Sequence, residues 1–149
     1  MEKGITVEKL EELLELHELW LEGSEKGKRL DLSNKDLTNP NVLKLLRNAN
    51  LEYANLEYAD LKNANLYNTN LKNANLKNAN LEYANLEYVN LKNANLEYAN
   101  LKYANLYNAN LYNASLKYSN LDNSNLRYAN LYNANLKYAN KLPSYIKVK

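Results

Sequence analysis

Cysteine and phenylalanine are absent from this chain of 149 residues, and glycine, proline, histidine and tryptophan are rare. Without cysteine the chain can form no disulfide bond and offers no thiolate to a metal or a substrate. The three glycines, Gly4, Gly23 and Gly27, are too scattered to build a phosphate-binding loop. These absences exclude thiol chemistry and glycine-rich nucleotide sites.

Long apolar runs are missing as well, and the charge is nearly balanced. No apolar stretch approaches the ~20 residues that a membrane-spanning helix needs. The N-terminus continues into a Glu-rich helical pattern and lacks the apolar centre of a signal peptide. The net charge of +2 is too small for the electrostatic footprint of a typical nucleic-acid-binding domain. We therefore expect a soluble, cytoplasmic protein that makes no contact with membranes.

Leucine, by contrast, recurs with a strict period of five residues within the region 48–140. Eighteen leucines, from Leu51 to Leu136, follow at this spacing without a gap. If each leucine is position i, position i−2 is Ala in all but four pentads, and position i−1 is Asn in all but two. A period of five suits neither a continuous helix nor a flat strand, so the chain must bend once per pentad.

The pentad predicts which side chains face inward. If positions i−2 to i are extended, the small residue and the leucine point to one side and the Asn to the other. Positions i+1 and i+2 then turn the corner in solvent, while the Asn side chain bonds to nearby backbone. Repetition of this unit coils the chain around a core of Leu and Ala.

Charge alternation indicates how many pentads make one coil. At a spacing of four pentads, the i+1 positions alternate in sign along one face: Lys62, Glu82, Lys102 and Asp122. A second face alternates until its last member: Glu57, Lys77, Glu97, Lys117 and Lys137. Opposite charges on neighbouring strands are favourable, so these patterns predict a four-sided coil in which lysines pair with acidic residues on neighbouring coils. The same spacing aligns Tyr98, Tyr118 and Tyr138 in one column, and Asn73, Asn93, Asn113 and Asn133 in another.

The run Ala49-Asn50-Leu51-Glu52-Tyr53 and its tandem copies resemble the pentapeptide-repeat proteins, whose motif is A(D/N)LXX. The resemblance covers about two thirds of the chain. It implies a β-solenoid, namely a right-handed quadrilateral parallel β-helix with positions i and i−2 inside. Natural members usually mix Phe with Leu at i and Asp with Asn at i−1. Because this chain has no Phe and almost no Asp there, its regularity indicates a consensus or designed array.

The chain divides into three parts. Residues 1–29 form an N-terminal α-helical cap and a link, in which Thr6 caps a helix that ends before Gly23. Residues 30–140 form the β-helix, with irregular pentads and an insertion at 30–47 and the regular array at 48–140. A short helical turn beginning at Pro40 absorbs a one-residue shift in phase. Residues 141–149, including Val148, form a C-terminal cap or tail.

The helix presents an apolar stripe that is wider than one contact needs. The stripe consists of Val7, Leu10, Leu14, His17 and Leu21, widened by Leu13, Leu16 and Trp20. Repeat arrays need atypical ends that shield the exposed core, so we interpret the helix as a cap. A part of the stripe could also serve dimerisation.

The sequence predicts no catalytic, cofactor-binding or metal-binding residues and no cofactor. His17 is the only histidine and lies in no HExxH pattern, so it is interpreted as a packed or solvent-edge helix residue. Asp31 and Asp36 occupy position i−1 of the irregular pentads, where capping of nearby backbone explains them better than metal binding. A rod filled with Leu and Ala also offers no cleft in which catalytic groups could converge.

These features predict a structural repeat scaffold without enzymatic activity. One alternative is a protein-interaction module that uses a face of the rod. A weaker alternative is a nucleic-acid binder, because lysines and tyrosines lie near each other on two adjacent faces. A gyrase-type binder is a further alternative, because some members of the resembled family inhibit DNA gyrase by imitating duplex DNA. Such imitation requires a surface rich in carboxylates, whereas residues 48–140 hold seven acids against eight Lys or Arg. No small-molecule partner is expected, and the remaining candidate partner is a second copy, bound through the C-terminal end or the capping helix.

Overall fold

The computed structural model describes residues 4–146, which contain two helices. Helix α1 spans Val7–Leu21 and helix α2 spans Pro40–Lys44. Within residues 4–146 the rest of the chain coils through isolated parallel bridges and forms no strand of two or more residues. The predicted cap residue Val148 lies outside the described residues.

The bridges confirm the four-sided coil, in which four pentads make one turn. Asn70 pairs in parallel with Asn50 on the preceding coil and with Asn90 on the following one. Between two coils, the N–H of Leu71 donates to the carbonyl of Asn90 at 2.8 Å, and the N–H of Asn90 donates to Thr69 at 3.0 Å. Because this pattern recurs along the array, each coil is joined to the next on all four sides.

Each corner of the coil is a tight turn that requires a left-handed residue. The carbonyl of Leu71 accepts from the N–H of Ala74 at 3.1 Å, and Asn73 between them has φ of 58°. All eighteen i+2 positions have φ between 53° and 63°, as the third residue of a type II turn needs a positive φ. Nine of these residues are Asn, which tolerates this conformation, and nine are Tyr, which does not do so readily.

Leucine and alanine fill the interior, as predicted. From Leu51 to Leu126 every leucine at position i is 1% exposed or less. The polar residues at i−2 are satisfied, since the hydroxyl of Thr69 donates to the carbonyl of Leu46 at 2.8 Å and that of Ser119 donates to Leu116 at 2.7 Å. The core is therefore a continuous aliphatic column without unpaired hydroxyls at these two positions.

Helix α1 caps the first coil, and its start and end agree with the prediction. Thr6 Oγ1 accepts from the N–H of Lys9 at 3.1 Å. The link after the helix folds tightly against it, because a Cβ on Gly27 would overlap the backbone nitrogen of Trp20. Only Leu10 and His17 of the predicted stripe are fully buried. Most of the stripe thus stays partly accessible.

The irregular segment 30–47 completes the first coil with four extra residues. Asp31 pairs with Asn55 and Asp36 with Asp60, so these partners lie four positions further apart than those of the regular array. Helix α2 lies in this longer stretch, and its Val42 is buried in the core. Asp31 and Asp36 each accept a backbone N–H two residues ahead at 2.9 Å, which confirms their predicted capping role.

Within residues 4–146, the last coil, residues 121–140, is followed by no further coil. Leu131 and Leu136 are only partly buried there. The tail covers one portion of this end, because Ile146 packs against the core and Tyr145 Oη accepts from the N–H of Leu126 at 2.9 Å. The C-terminal end is therefore the least enclosed part of the core.

Candidate interaction surfaces

Asparagine ladders run along the sides of the rod, where the side-chain amides of successive coils bond to each other. Asn70 Nδ2 donates to Asn50 Oδ1 at 2.9 Å, and Asn90 Nδ2 donates to Asn70 Oδ1 at 3.2 Å. Asn70 Oδ1 also accepts from the N–H of Lys72 at 3.2 Å. Since donors and acceptors are spent within the array, these amides stabilise the coil and leave little to recognise a ligand.

Ion pairs follow the predicted alternation on one face. Lys62 and Glu82 lie 3.0 Å apart, and Lys102 and Asp122 lie 3.8 Å apart.

The opposite face adds a pair that the charge pattern did not single out, with Lys72 Nζ 2.8 Å from Glu52 Oε1. The hydrogen bond with Lys72 lowers the pKa of Glu52, and the same bond raises the pKa of Lys72. These charges are engaged with each other across coils.

The second face corrects the prediction that its charges pair with one another. Within residues 4–146, Glu97 and Lys117 form no ion pair. Glu97 instead accepts from Ser115 Oγ at 3.0 Å, and Lys117 Nζ lies 5.0 Å from the centre of the Tyr118 ring. The residue at i−1 of the next coil and the adjacent ring are thus the partners of these two charges, in place of the opposite charge.

Tyrosines on successive coils contact each other in two geometries. Where both occupy i+2 the rings stack, as in Tyr98–Tyr118 and Tyr118–Tyr138, both at 4.9 Å between centroids and with planes 11° and 12° apart. Where one is at i+1 and the other at i+2 the rings meet edge to face, as in Tyr107–Tyr128 at 5.4 Å and 84°. The predicted column of Tyr98, Tyr118 and Tyr138 is confirmed.

His17 is a structural residue of the cap. Its Nδ1 accepts from the N–H of Leu30 at 3.1 Å, and its ring stacks on Trp20 at 5.7 Å between centroids. Burial lowers the pKa of His17 below its ordinary value of 6.5, although the backbone carbonyl of Glu52 acts in the opposite direction. A packed histidine agrees with the sequence interpretation, while the bond to Leu30 could not be read from a linear pattern.

The surface offers open recesses and no enclosed cleft among the described residues. One recess beside α2, of about 380 Å³, is lined by Pro40, Leu43, Lys44, Arg47, Asn63 and Asn65. Residues 4–146 contain no group of three or more His, Cys, Asp or Glu that could hold a metal ion. In the same range neither helix has the length and apolar character needed to cross a membrane.

The corner turns, the inward Leu and Ala and the coil of four pentads agree with a known family model. The model for pentapeptide repeats matches residues 45–82, 74–111 and 104–140, with eight copies. The chain belongs to the pentapeptide repeat family. Its fold is therefore the right-handed quadrilateral β-helix of that family, with an N-terminal helix added.

Several solved pentapeptide repeat proteins are similar to the chain. Rfr23 from the cyanobacterium Cyanothece 51142 is 37% identical over 74% of this chain and 63% of its own, with a TM-score of 0.46. HetL from Nostoc sp. strain PCC 7120, which is involved in the regulation of heterocyst differentiation, is 26% identical over 76% of this chain and 66% of its own, with a TM-score of 0.46.

A protein from the thylakoid lumen of Arabidopsis thaliana is 23% identical over 77% of this chain and 66% of its own, with a TM-score of 0.48. The chain thus spans less than two thirds of the length of each of these three proteins. Among curated protein sequences none matches the chain.

Proposed function

We propose that this pentapeptide repeat protein is a structural scaffold without catalytic activity, which assembles through its C-terminal end. The filled interior carries the first part of the proposal, since the inward positions from Leu51 to Leu126 are buried and are all Leu or Ala except Thr69, Val89, Ser119 and Ser124. Catalysis needs groups that converge in a site sheltered from water. Most polar side chains of this rod face outward, and many of them are already paired between coils.

The open last coil carries the second part. Leu131 and Leu136 are partly exposed. Within residues 4–146 their N–H groups, and the carbonyls of Ala129 and Ala134, have no hydrogen-bonding partner. An uncovered edge of this kind is a template for pairing with another chain.

A second copy fits this edge by symmetry. On each of these two sides, one free N–H and one free carbonyl flank the asparagine at i−1. The same two groups on a copy related by a two-fold axis are the complementary donor and acceptor of an antiparallel bridge. We therefore favour an end-to-end homodimer.

The charge of this end gives the association a recognisable salt dependence. Arg127, Lys137 and Lys141 lie on the last coil or just after it, together with a single acid, Asp122. Two such ends repel each other electrostatically, and salt screens this repulsion. Dimerisation should therefore become stronger as the ionic strength rises.

Sedimentation velocity over a range of protein concentrations tests the proposal. We expect a monomer–dimer equilibrium that shifts toward dimer at higher salt. Ala134→Lys places a charge in the open end of the lumen and should leave only monomer. Tyr132→Lys is the matched control, because it adds the same charge on the exposed side of the same coil and should still dimerise. A wild-type protein that stays monomeric at every concentration would refute assembly through this end.

The other expectations remain predictions. The partly accessible stripe of α1 is a second candidate for dimerisation, and Ala134→Lys would leave dimers formed through it intact. No feature of a particular face favours a protein or nucleic-acid partner over the end. The consensus or designed origin and the cytoplasmic location also remain predictions from the sequence.

A further inference from the structure

The stacked tyrosine columns bring reactive ring carbons of different coils together. Tyr98, Tyr118 and Tyr138 stack successively at 4.9 Å, and Tyr83 stacks on Tyr103 at 4.8 Å with planes 9° apart. The rings are also open to solvent, with Tyr118 38% and Tyr138 59% exposed. A diffusible oxidant can therefore reach pairs that the backbone already holds in place.

Removal of one electron and the phenolic proton from tyrosine gives a phenoxyl radical with spin density on the ring carbons next to the oxygen. Two such radicals couple through these Cε atoms, and each ring then regains aromaticity by moving its Cε proton to the oxygen. The new bond forms between π orbitals, which project above and below each ring. Face-to-face rings therefore meet this requirement, and edge-to-face rings do not.

We propose that the stacked tyrosine pairs are sites of dityrosine cross-linking between successive coils. The oxidant is hydrogen peroxide, acting through a haem peroxidase. Two tyrosines give up two electrons and two protons, one Cε–Cε bond forms, and one peroxide is reduced to two molecules of water. The backbone ladder supplies the close approach that free tyrosines reach only by collision.

The geometry makes the reaction selective within one molecule. Tyr107 and Tyr128 are nearly as close, at 5.4 Å, but their planes are 84° apart. Tyr58 is 56% exposed and has no ring contact within residues 4–146. Coupling should favour the stacked pairs over both of these, although all are accessible to the oxidant.

One product would change the weakest part of the rod. A bond between Tyr118 and Tyr138 ties the last coil, in which Leu131 and Leu136 are partly exposed, to the coil before it. The cross-link would restrict fraying of that end, because it closes a loop of four pentads in the unfolded chain. Oxidation would thus stabilise the end of the protein that lacks a covering coil.

The test is treatment of the dilute full-length protein with a haem peroxidase and hydrogen peroxide, followed by trypsin digestion and mass spectrometry. Lys102, Lys117 and Lys137 place the tyrosines of the stacked column in separate peptides. We expect joined peptides, lighter by two hydrogens than their sum, that link Tyr98 to Tyr118 and Tyr118 to Tyr138. The intact product should run as a monomer on a denaturing gel.

Two variants assign the cross-links. Tyr118→Phe keeps a stackable ring but lacks the phenolic group, so it should abolish both of these products and leave the Tyr83–Tyr103 product. Tyr58→Phe removes an exposed tyrosine outside any stack and should change none of them. The stacked pair Tyr112–Tyr132 joins the same two tryptic peptides as Tyr107–Tyr128, so fragment ions assign the bond within them. Equal yields at Tyr107–Tyr128, coupling only between molecules, or an unchanged pattern in Tyr118→Phe would each overturn the proposal. Assembly through the C-terminal end is not required, so the two proposals succeed or fail separately.

Discussion

The residue at i+2 determines the backbone strain at each corner of the coil. All eighteen of these positions adopt positive φ, a region that crowds the Cβ of most amino acids. An Asn side chain offsets this strain by local hydrogen bonding. A Tyr side chain has no such bond, but it gains ring contacts with tyrosines on neighbouring coils. The net effect of each tyrosine on stability therefore depends on its backbone strain and on the ring contacts that it makes.

Replacement of an unstacked tyrosine should stabilise the fold. Tyr58 has φ of 58°, so Tyr58→Asn relieves strain without loss of a ring contact and should raise the free energy of unfolding by up to about 1 kcal/mol. Tyr118→Asn relieves the same strain but removes two stacked contacts worth about 0.5 to 1.5 kcal/mol each, so we expect no gain. Denaturant unfolding of both variants measures the difference, and an equal gain in both would argue against stacking as the compensating term.

At the scale of elements, helix α1 is held in place by contacts that cross the link. The N–H of Lys28 donates to the carbonyl of Leu16 at 2.8 Å, and Leu30 donates to His17 Nδ1. Gly27 lies so close to Trp20 that no side chain fits between them. A buried imidazole and a closely packed turn thus add to the apolar contacts, such as that of Leu10, which join the cap to the first coil.

This arrangement makes docking of the cap sensitive to acid. Because burial lowers the pKa of His17 in the folded protein, protons bind the unfolded state more readily. Neutral His17 therefore contributes its full stabilisation above pH 6.5, the ordinary pKa of histidine. This contribution declines as the pH falls from 6.5 toward the lower pKa of His17 in the folded state. His17→Asn offers an oxygen acceptor to Leu30 without titrating in this range and should flatten this part of the profile. Thermal unfolding followed by fluorescence of Trp20, the single tryptophan, measures both proteins; parallel profiles would refute the assignment.

The sequence predicted both helices but not this contact. Thr6, Gly23 and Pro40 are local signals for the ends of helices, and the structure confirms them. The bond between His17 and Leu30 depends on how the link folds back over 13 residues, which no short-range pattern encodes. Likewise, the breadth of the apolar stripe indicated a cap but did not reveal that most of it would stay partly accessible.

At the scale of the whole molecule, stability rests on an aliphatic column that is complete in the middle and incomplete at one end. Leu91 is fully buried, whereas Leu131, on the same side two coils later, is only partly buried. Leu91→Ala should lower the free energy of unfolding by about 2 to 5 kcal/mol, because it leaves a cavity in a packed core. Leu131→Ala removes the same atoms from a site that water already reaches, so it should lower the free energy of unfolding by a smaller amount. Equal losses in denaturant unfolding would contradict the enclosed column.

Most of the global fold could be predicted because one rule repeats. The period of five gave the inward residues, and the alternation of Lys62, Glu82, Lys102 and Asp122 gave the number of sides; the structure confirms both. Pairing on the second face was predicted incorrectly, because a pattern of charges does not say whether a carboxylate will meet a lysine or a nearer amide or hydroxyl. Competition among neighbouring side chains has to be seen in three dimensions.

The four-sided coil links the length of the array to the orientation of what it carries. Since each pentad occupies one side, adding or deleting a single pentad would turn everything downstream by a quarter revolution about the long axis. Adding or deleting four pentads would restore the original heading and change only the height by one coil, ~4.8 Å. The number of pentads therefore sets two quantities: the distance between the helical cap and the opposite end of the coil, and the angle between them about the long axis.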